Sequence, residues 1–348
     1  MIEIDGSVYS GSGTLLRYGA SLATLTREPV HMVRIRARRP KPGLRAQHLS
    51  ALSACAMISG GRLENARVGS QEIAYYPGDS LDGGTFHFDI GTAGSATMAA
   101  FTLIPPALFS SASCHFTITG GLFQDFAPSF YHMDRVLLKI LNRMGARVEM
   151  RMIRPGYVPQ GQGQLRMNVS PCTRLEPVRM GRQGNVTSIH GVALSSHLQA
   201  QNVSARMARR STEALRKHGY VVTIDVVEDT KAVQKGAALA LWAETDNGCM
   251  LGADRAGKQG RKSEDIADFV VRILLEDLQS GACTDRYLAD QLVLFAALAK
   301  GTSEFVIPGI TDHVRANLKL VEQILGVHSQ VRGNTVVIEG MDMTPRAS

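Results

Sequence analysis

The residue best suited to nucleophilic chemistry in this sequence is His313. It follows the turn residues 308–312 and begins an amphipathic stretch that runs to Leu325. We predict a helix there, with the imidazole in its first turn. The positive end of the helix disfavours the imidazolium form, so we expect a neutral, nucleophilic ring. Taken alone, such a histidine is more often structural.

Positive charge is concentrated in residues 34–45, which we call the arginine loop. The segment reads RIRARRPKPGLR, and half of its positions are cationic. Pro40, Pro42 and Gly43 exclude a helix or a central strand in its middle. Several arginines in one loop suit a phosphate, which a guanidinium binds bidentately. The alternative is a solvated surface loop.

Two segments rich in glycine and serine each precede an apolar stretch. They are Asp5–Arg17, which reads DGSVYSGSGTLLR, and Asp89–Thr97, which reads DIGTAGSAT. Backbone N–H groups in such loops can bind an anion at the start of a helix. A plain turn explains the first segment about as well, and tight helix–sheet packing explains the second. Arg17 and the arginine loop favour the phosphate interpretation.

Length and composition exclude several classes of protein. The chain has 348 residues, 44% hydrophobic and 20% charged, with a formal net charge of +7. This is ordinary globular composition, with about two domains of roughly 150 residues. No apolar run approaches the ~18 residues of a membrane span. Five dispersed cysteines without a Cys-x-x-Cys pair argue against a disulfide framework and a structural zinc site.

The first residues also bear on location. Acids near the amino terminus replace the basic and apolar regions of a signal peptide. We therefore expect a cytoplasmic protein, or a nuclear one in a eukaryote, without a membrane partner.

A helix that ends at a glycine before a strand-like run recurs along the chain. The glycines concerned are Gly60, Gly145, Gly219 and Gly326. Glycine is the expected left-handed cap, and the runs after it carry β-branched residues. We predict a loosely repeated α/β unit of roughly 80 residues. Turn-rich stretches predict an inserted small domain at 181–278, between main-domain parts 1–180 and 279–348.

Taken in order, these segments resemble the RNA 3′-terminal phosphate cyclase family. Residues 35–48 meet almost fully the family's Ile-Arg-Ala-x-Arg-x-Lys-Pro-Gly-Leu-x-x-Gln-His, and residues 287–291 meet its Tyr-Leu-Ala-Asp-Gln. Residues 5–17 partly meet its opening Asp-Gly-x-x-x-Glu-Gly-Gly-Gly-Gln-x-x-Arg. Residues 90–95 look like its Gly-Ser-Ala-Gly-Ser segment, and His313 falls where the family has its nucleophile. The resemblance covers nearly the whole chain.

The resemblance implies a fold and a reaction. The fold is α/β (α+β): three repeated βαβαββ units, like the carboxy-terminal domain of a bacterial translation initiation factor, form a main domain with a smaller inserted α/β domain. The implied partners are ATP and RNA with a 3′-phosphate end. A histidine attacks ATP to give histidine-AMP and pyrophosphate, AMP moves to the RNA 3′-phosphate, and the neighbouring 2′-hydroxyl displaces it. The product is a 2′,3′-cyclic phosphate.

The resemblance also implies roles for individual residues. His313 is the nucleophile. The adenylate-binding residues are Tyr287, Asp290, Gln291 and Phe101. The residues that hold phosphates of ATP or RNA are Arg17, Arg36, Arg39 and Gln47.

Three residues depart from the family's pattern. Ser10 stands where the family has a glutamate connected with the divalent metal, Thr14 replaces a glutamine, and Phe101 replaces a polar residue on the adenine side in bacterial relatives. A serine hydroxyl is a far poorer ligand for a hard cation than a carboxylate. The resemblance thus implies a requirement for Mg²⁺ or Mn²⁺, but this chain lacks the family's carboxylate ligand at position 10.

Two other functions stay open. The departures favour a non-catalytic RNA-binding or ribosome-biogenesis protein of the same fold, but that branch of the family lacks the nucleophilic histidine. An enolpyruvyl-transferase-like enzyme would also repeat a helix–Gly–strand unit and bind anions with Lys and Arg, yet it gives His313 no role. Pyrophosphate release would exclude the first alternative, and activity on shikimate phosphate or a nucleotide sugar would support the second.

Overall fold

Strand-forming runs and helices alternate along the chain and assemble into four separate four-stranded sheets. The computed structural model describes residues 1–9 and 11–345. Each sheet contains parallel and antiparallel neighbours, and helices cover them, which confirms the predicted α/β class. Ser10, where the sequence departs from the family glutamate, lies outside the described residues.

The first sheet comes from the amino-terminal part of the chain. Its elements are β1 (Ile2–Asp5), α1 (Thr14–Thr26), β2 (Val30–Val33), α2 (Ala46–Ser59), β3 (Arg62–Glu64) and β4 (Ile73–Tyr76). The strand order is β1-β2-β4-β3, with β1 and β2 parallel. Apart from Thr26, every residue of α1 is buried, because α2, α3 and α9 surround it as well as the sheet.

The second sheet repeats the strand order of the first. Its elements are β5 (Gly84–Asp89), α3 (Ala96–Leu108), β6 (Cys114–Gly120), α4 (Phe130–His132), a π-helical turn (Met133–Leu137), α5 (Leu138–Arg143), β7 (Arg147–Arg154) and β8 (Gly163–Ser170). The order is β5-β6-β8-β7, and again only the first pair is parallel.

The segment that follows β9 (Arg179–Met180) forms a separate sheet. It contains β10 (Val186–Ser196), β11 (Val222–Asp229), β12 (Gly236–Thr245) and β13 (Met250–Ala256), with α6 (Val203–Lys217) and α7 (Ser263–Gln279) packed against it. Its order, β11-β10-β12-β13, differs from that of the other sheets.

The last sheet joins β9 to the end of the chain. Its elements after α7 are α8 (Leu288–Leu298), β14 (Lys300–Val306), α9 (Asp312–Leu325), β15 (His328–Arg332) and β16 (Thr335–Met341). The order β9-β14-β16-β15, with β9 and β14 parallel, matches the first two sheets.

Helices α1, α3 and α8 are buried along almost their whole length, and the helix ends follow the sequence pattern. Helix α1 contacts α2, α3 and α9, and α8 contacts α9. All four glycines predicted to end helices have a positive φ, at 64°, 92°, 82° and 67° in chain order. No helix within residues 1–9 and 11–345 is long and apolar enough to cross a membrane.

Asp285 joins three elements just before α8. Its buried carboxylate accepts hydrogen bonds from the backbone N–H groups of Tyr287, Leu288 and Gly252, each at 2.8 Å. The fourth contact is His132 Nε2, at 3.0 Å. Burial opposes the imidazolium, yet the Asp285 carboxylate raises the pKa of His132 above its ordinary value. The carboxylate therefore ties α8 to β13 and α4.

We expect Asp285→Ala to lower the free energy of unfolding by about 3–5 kcal/mol, because it leaves the buried His132 ring and three backbone N–H groups without their hydrogen-bond partner. Urea denaturation measures this loss. Asp268→Ala is the matched control: Asp268 forms an ion pair with Arg210 in which the side chains are 48% and 47% exposed, so its removal should cost much less. Equal losses in the two variants would contradict this role of Asp285.

Candidate active site

The first turns of α1, α3, α8 and α9 meet at one cleft of about 390 Å³. Its opposite wall is formed by residues 124–128 and by residues 254, 255 and 269 of the segment that carries the β10–β13 sheet. The N–H groups at the start of each helix carry partial positive charge. Four helix starts at one cleft therefore favour an anionic ligand.

His313 lies in the first turn of α9, as the sequence predicts. Thr311 caps the helix by accepting a hydrogen bond from the N–H of Val314 at 3.2 Å. The imidazole Nδ1 lies 3.4 Å from Thr14 Oγ1 and 3.8 Å from Asp290 Oδ2. These contacts occupy the Nδ1 side of the ring, which leaves Nε2 as the nitrogen available for attack.

The surroundings of His313 favour its neutral form. Partial burial lowers the pKa of His313 below 6.5, and the nearby positive charges of Arg39 and Arg17 lower it further. The side chain remains 39% exposed. The ring is therefore uncharged near pH 7 and open to a substrate, as a nucleophile must be.

Arg17 is a buried cation for which the described residues provide no hydrogen-bond acceptor. The residue is 7% exposed, and its Nε is buried without a hydrogen-bond partner among the described residues. Burial lowers the pKa of Arg17 to about 10, so it stays charged at pH 7. A buried, unpaired guanidinium is costly unless an anion compensates it. This is the expected environment for a phosphate.

The arginine loop contains neither helix nor strand, as its prolines predict. One of its arginines bonds to the backbone of the same loop. Arg36 Nη1 donates to the carbonyl oxygens of Lys41 and Gly43, at 2.8 and 2.9 Å. Arg39 Nε lies 3.4 Å from the carbonyl oxygen of Gly11, in the first glycine-rich segment. Within the part of the chain that the structure describes, neither arginine forms an ion pair with a carboxylate. Neither arginine lines the cleft, but Arg39 lies close enough to His313 for its charge to lower the pKa of the ring.

Gln47 contacts the second glycine-rich segment and does not line the cleft. Its Oε1 accepts a hydrogen bond from the N–H of Ser95 at 3.1 Å. Ser95 in turn caps α3 by accepting from the N–H of Met98 at 3.0 Å. Gln47 therefore positions the loop that leads into α3.

Three predicted adenylate-binding residues, Tyr287, Asp290 and Gln291, line the cleft. Burial raises the pKa of Asp290 to about 7, and Asp285 adds to the effect. Gln291 is 4% exposed, and its Oε1 has no hydrogen-bond partner among the described residues. The Tyr287 ring is 37% exposed at the cleft.

Phe101 lies behind the wall of the cleft. It is completely buried, stacks on Tyr18 with ring centroids 5.0 Å apart, and meets Phe295 edge-on at 5.6 Å. Tyr18 lines the cleft, whereas Phe101 does not. The structure therefore separates Phe101 from the other predicted adenylate residues and allows it only an indirect contribution.

Local sequence patterns do not predict the wall of the cleft that residues 124–128 and 254–269 form. Asp125 accepts two hydrogen bonds from Arg261, at 3.1 and 2.8 Å, across 136 positions of the chain. Ser129 N–H donates to Asp254 Oδ2 at 2.8 Å. The available signal was an acid next to an aromatic residue, Asp125-Phe126, in a turn-rich stretch. That pattern did not indicate a partner in a distant segment.

The described residues do not fit a dedicated divalent-metal site. Within residues 1–9 and 11–345 no group of three or more His, Cys, Asp or Glu side chains is placed to hold a metal ion. Asp290 is the carboxylate beside His313, and its raised pKa leaves it partly protonated at pH 7. A hard cation prefers several ionised oxygen ligands.

Comparison with known proteins identifies a family. A family model for the RNA 3′-terminal phosphate cyclase matches residues 8–331. The chain is 36% identical to the RNA 3′-terminal phosphate cyclase of Pyrobaculum neutrophilum over 330 residues, which are 94% of this chain and 93% of that one. It is 35% identical to the protein of the same name from Archaeoglobus fulgidus over 339 residues, covering 97% and 100%.

A solved structure, the enolpyruvyl transferase NikO from Streptomyces tendae, covers 99% of this chain and 52% of its own. Its sequence identity is 12% and its TM-score is 0.28, which is too low to bear on function.

The titration of His313 is directly measurable. We expect its pKa to lie below 6.5 and to rise towards that value in Arg39→Gln, because one of the charges that disfavour the imidazolium is gone. NMR of histidine labelled at Cε1, with His313→Asn to assign the signal, gives both values. Arg147→Gln, on β7, should leave the titration unchanged. A wild-type pKa at or above 6.5 would contradict the described environment.

Proposed function

Because this chain belongs to the RNA 3′-terminal phosphate cyclase family, we propose that it converts an RNA 3′-terminal phosphate to a 2′,3′-cyclic phosphate with ATP as energy source. The proposed intermediates are a covalent histidine-AMP and an RNA adenylate. His313 is the proposed nucleophile. Family membership supports the reaction, and the arrangement of the cleft supports the assignment of residues.

One observation carries the mechanism: a buried guanidinium, without an ion-pair partner among the described residues, lies beside a neutral imidazole. Arg17 and His313 line the same cleft, and the charge of Arg17 is among the causes that keep the ring neutral. A phosphate in the cleft would neutralise the charge of Arg17. Its phosphorus atom would then be open to attack by the His313 ring. Positive charge at this point also stabilises the negative charge that develops on phosphoryl oxygens in the transition state.

The contacts of His313 favour attack by Nε2. A proton on Nδ1 can be shared with Thr14 Oγ1 and Asp290 Oδ2, which leaves the Nε2 lone pair free. In the first step Nε2 bonds to the α-phosphorus, the bond to the bridging oxygen breaks, and pyrophosphate leaves. The imidazolium that forms is stabilised by Asp290 to the extent that its carboxyl is ionised.

The next steps restore the histidine. An oxygen of the RNA 3′-phosphate attacks the phosphorus of histidine-AMP, and the bond to Nε2 breaks. The 2′-hydroxyl oxygen then attacks the 3′-phosphorus, AMP leaves, and the hydroxyl proton is released. We assign the work of the protein in these steps to positioning and charge stabilisation by Arg17, Arg36 and Arg39.

We propose that AMP lies against Tyr287, Asp290 and Gln291. The unpartnered Oε1 of Gln291 is available to accept a hydrogen bond from an amino or hydroxyl group of the nucleotide. Phe101 would act only by supporting Tyr18. Gln47 would act by holding the loop before α3.

We also propose how the sheets are grouped into repeated units and domains, on the basis of their strand orders. The three sheets with the order first-second-fourth-third support three initiation-factor-like βαβαββ units in a main domain, 1–180 and 279–348. Residues 181–278 would be the inserted domain. A cytoplasmic location, or a nuclear one in a eukaryote, remains part of the proposal.

Covalent labelling tests the first step. We expect α-labelled ATP, with Mg²⁺ or Mn²⁺ and without RNA, to leave acid-labile, alkali-stable label on the denatured protein. His313→Ala should carry none, whereas His328→Ala, a histidine on β15, should be labelled like the wild type. Label retained in His313→Ala would refute the assigned nucleophile. Folded wild-type protein that takes no label and releases no pyrophosphate would indicate a non-catalytic RNA-binding protein.

Arg17→Gln should separate activity from stability. We expect the single-turnover labelling rate to fall by about 10²–10³-fold, as for the loss of a donor to a developing oxyanion. The free energy of unfolding should be unchanged or higher, because a buried unpaired charge is removed. Arg147→Gln serves as the control for both measurements. A large loss of stability in Arg17→Gln would show that Arg17 has a structural partner.

A further inference from the structure

Phe126 is an apolar side chain fully exposed at the cleft. Its relative solvent exposure is 106%, and its φ of 68° lies in the left-handed region that a bulky residue rarely adopts. Exposure of the ring to water and the backbone conformation are both unfavourable. The ring has no aromatic or cation–π partner among the described residues, which leaves it free to contact a ligand.

The segment that carries Phe126 is held on both sides. Asp125, just before it, accepts the two hydrogen bonds from Arg261 and lies 3.3 Å from Arg255 Nε. Ser129, three residues after it, donates to Asp254 Oδ2. The ring is thus presented from a fixed loop, so ordering it costs a ligand little.

A second aromatic ring marks the same wall. Phe269 also lines the cleft, and the Arg255 guanidinium lies 3.9 Å from the centroid of its ring. Aromatic rings beside cations are typical of sites for single-stranded nucleic acid, where bases stack and cations meet the backbone.

We propose that Phe126 stacks on the base of the RNA nucleotide that carries the 3′-phosphate. This inference rests on the proposed function and adds a subsite to it. Because every base has a π-face, stacking holds the RNA end without selecting its sequence. It would align the 3′-phosphate with the adenylate on His313.

The exposure of Phe126 favours an RNA base over the adenine of ATP. Arg17 and Gln291, which we assign to ATP, are 7% and 4% exposed and lie deep in the cleft. An RNA strand must leave the cleft across its rim, where Phe126 is fully exposed. AMP has no such extension and can be contained within the cleft.

Kinetics with a modified RNA end tests the stacking. The substrates are a 3′-phosphorylated oligoribonucleotide and the same RNA whose terminal ribose lacks its base. We expect Phe126→Ala to raise the KM for the intact RNA roughly tenfold or more, while the KM for ATP and the labelling rate without RNA stay unchanged. The RNA without the terminal base should show no difference between the two proteins. Phe126→Trp should behave like the wild type.

A binding measurement does not depend on turnover. In the His313→Ala background, we expect 2-aminopurine at the 3′-phosphorylated end to be quenched on binding, and Phe126→Ala to relieve the quenching and weaken binding. Val221→Ala, another exposed apolar residue at 71% exposure, should change neither.

The outcomes separate the two proposals. Failure of the wild type to take label from ATP refutes the proposed function, while the binding experiment still tests Phe126. Normal labelling with equal RNA KM and equal quenching in Phe126→Ala overturns the stacking inference. A raised KM for ATP in Phe126→Ala, with RNA binding unchanged, also overturns it and assigns the ring to adenine.

Discussion

Unpaired positive charge at the start of α1 is the constraint on which the site depends. Arg17 is buried and charged, and no described residue accepts a hydrogen bond from its guanidinium. Arg36 adds positive charge near Arg17, and Arg39 adds it near His313; neither forms an ion pair with a described carboxylate. The starts of four helices line the cleft. The free protein therefore stores electrostatic repulsion that an anionic ligand relieves. The same field lowers the pKa of His313 and keeps it nucleophilic.

The fold supports this charge by packing α1 against other helices as well as against its own sheet. Helix α1 can be buried along its length because other helices cover the faces that its sheet does not. Asp285 then ties α8 to the β10–β13 sheet and to α4 through four hydrogen bonds. A rigid interior fixes the positions of the helix starts relative to one another. A reaction that depends mainly on positioning requires this.

Some of the site could be predicted from local sequence. His313 in the first turn of a helix, the irregular arginine loop and the capping glycines all follow from short-range rules for caps, prolines and periodicity. Phe101 shows the limit of such reasoning. The family resemblance placed it on the adenine side of the pocket, whereas its burial against Tyr18 depends on which helices pack together.

The sequence by itself determined the family, the secondary-structure elements and the residues at the helix starts, because these depend on neighbours within a few positions. Only the tertiary structure decided that Asp125 meets Arg261 across 136 positions and that Phe126 stands exposed at the rim. It also decided that Arg17 has no partner among the described residues. Burial and pairing depend on which distant segments pack together, and no local pattern encodes that choice.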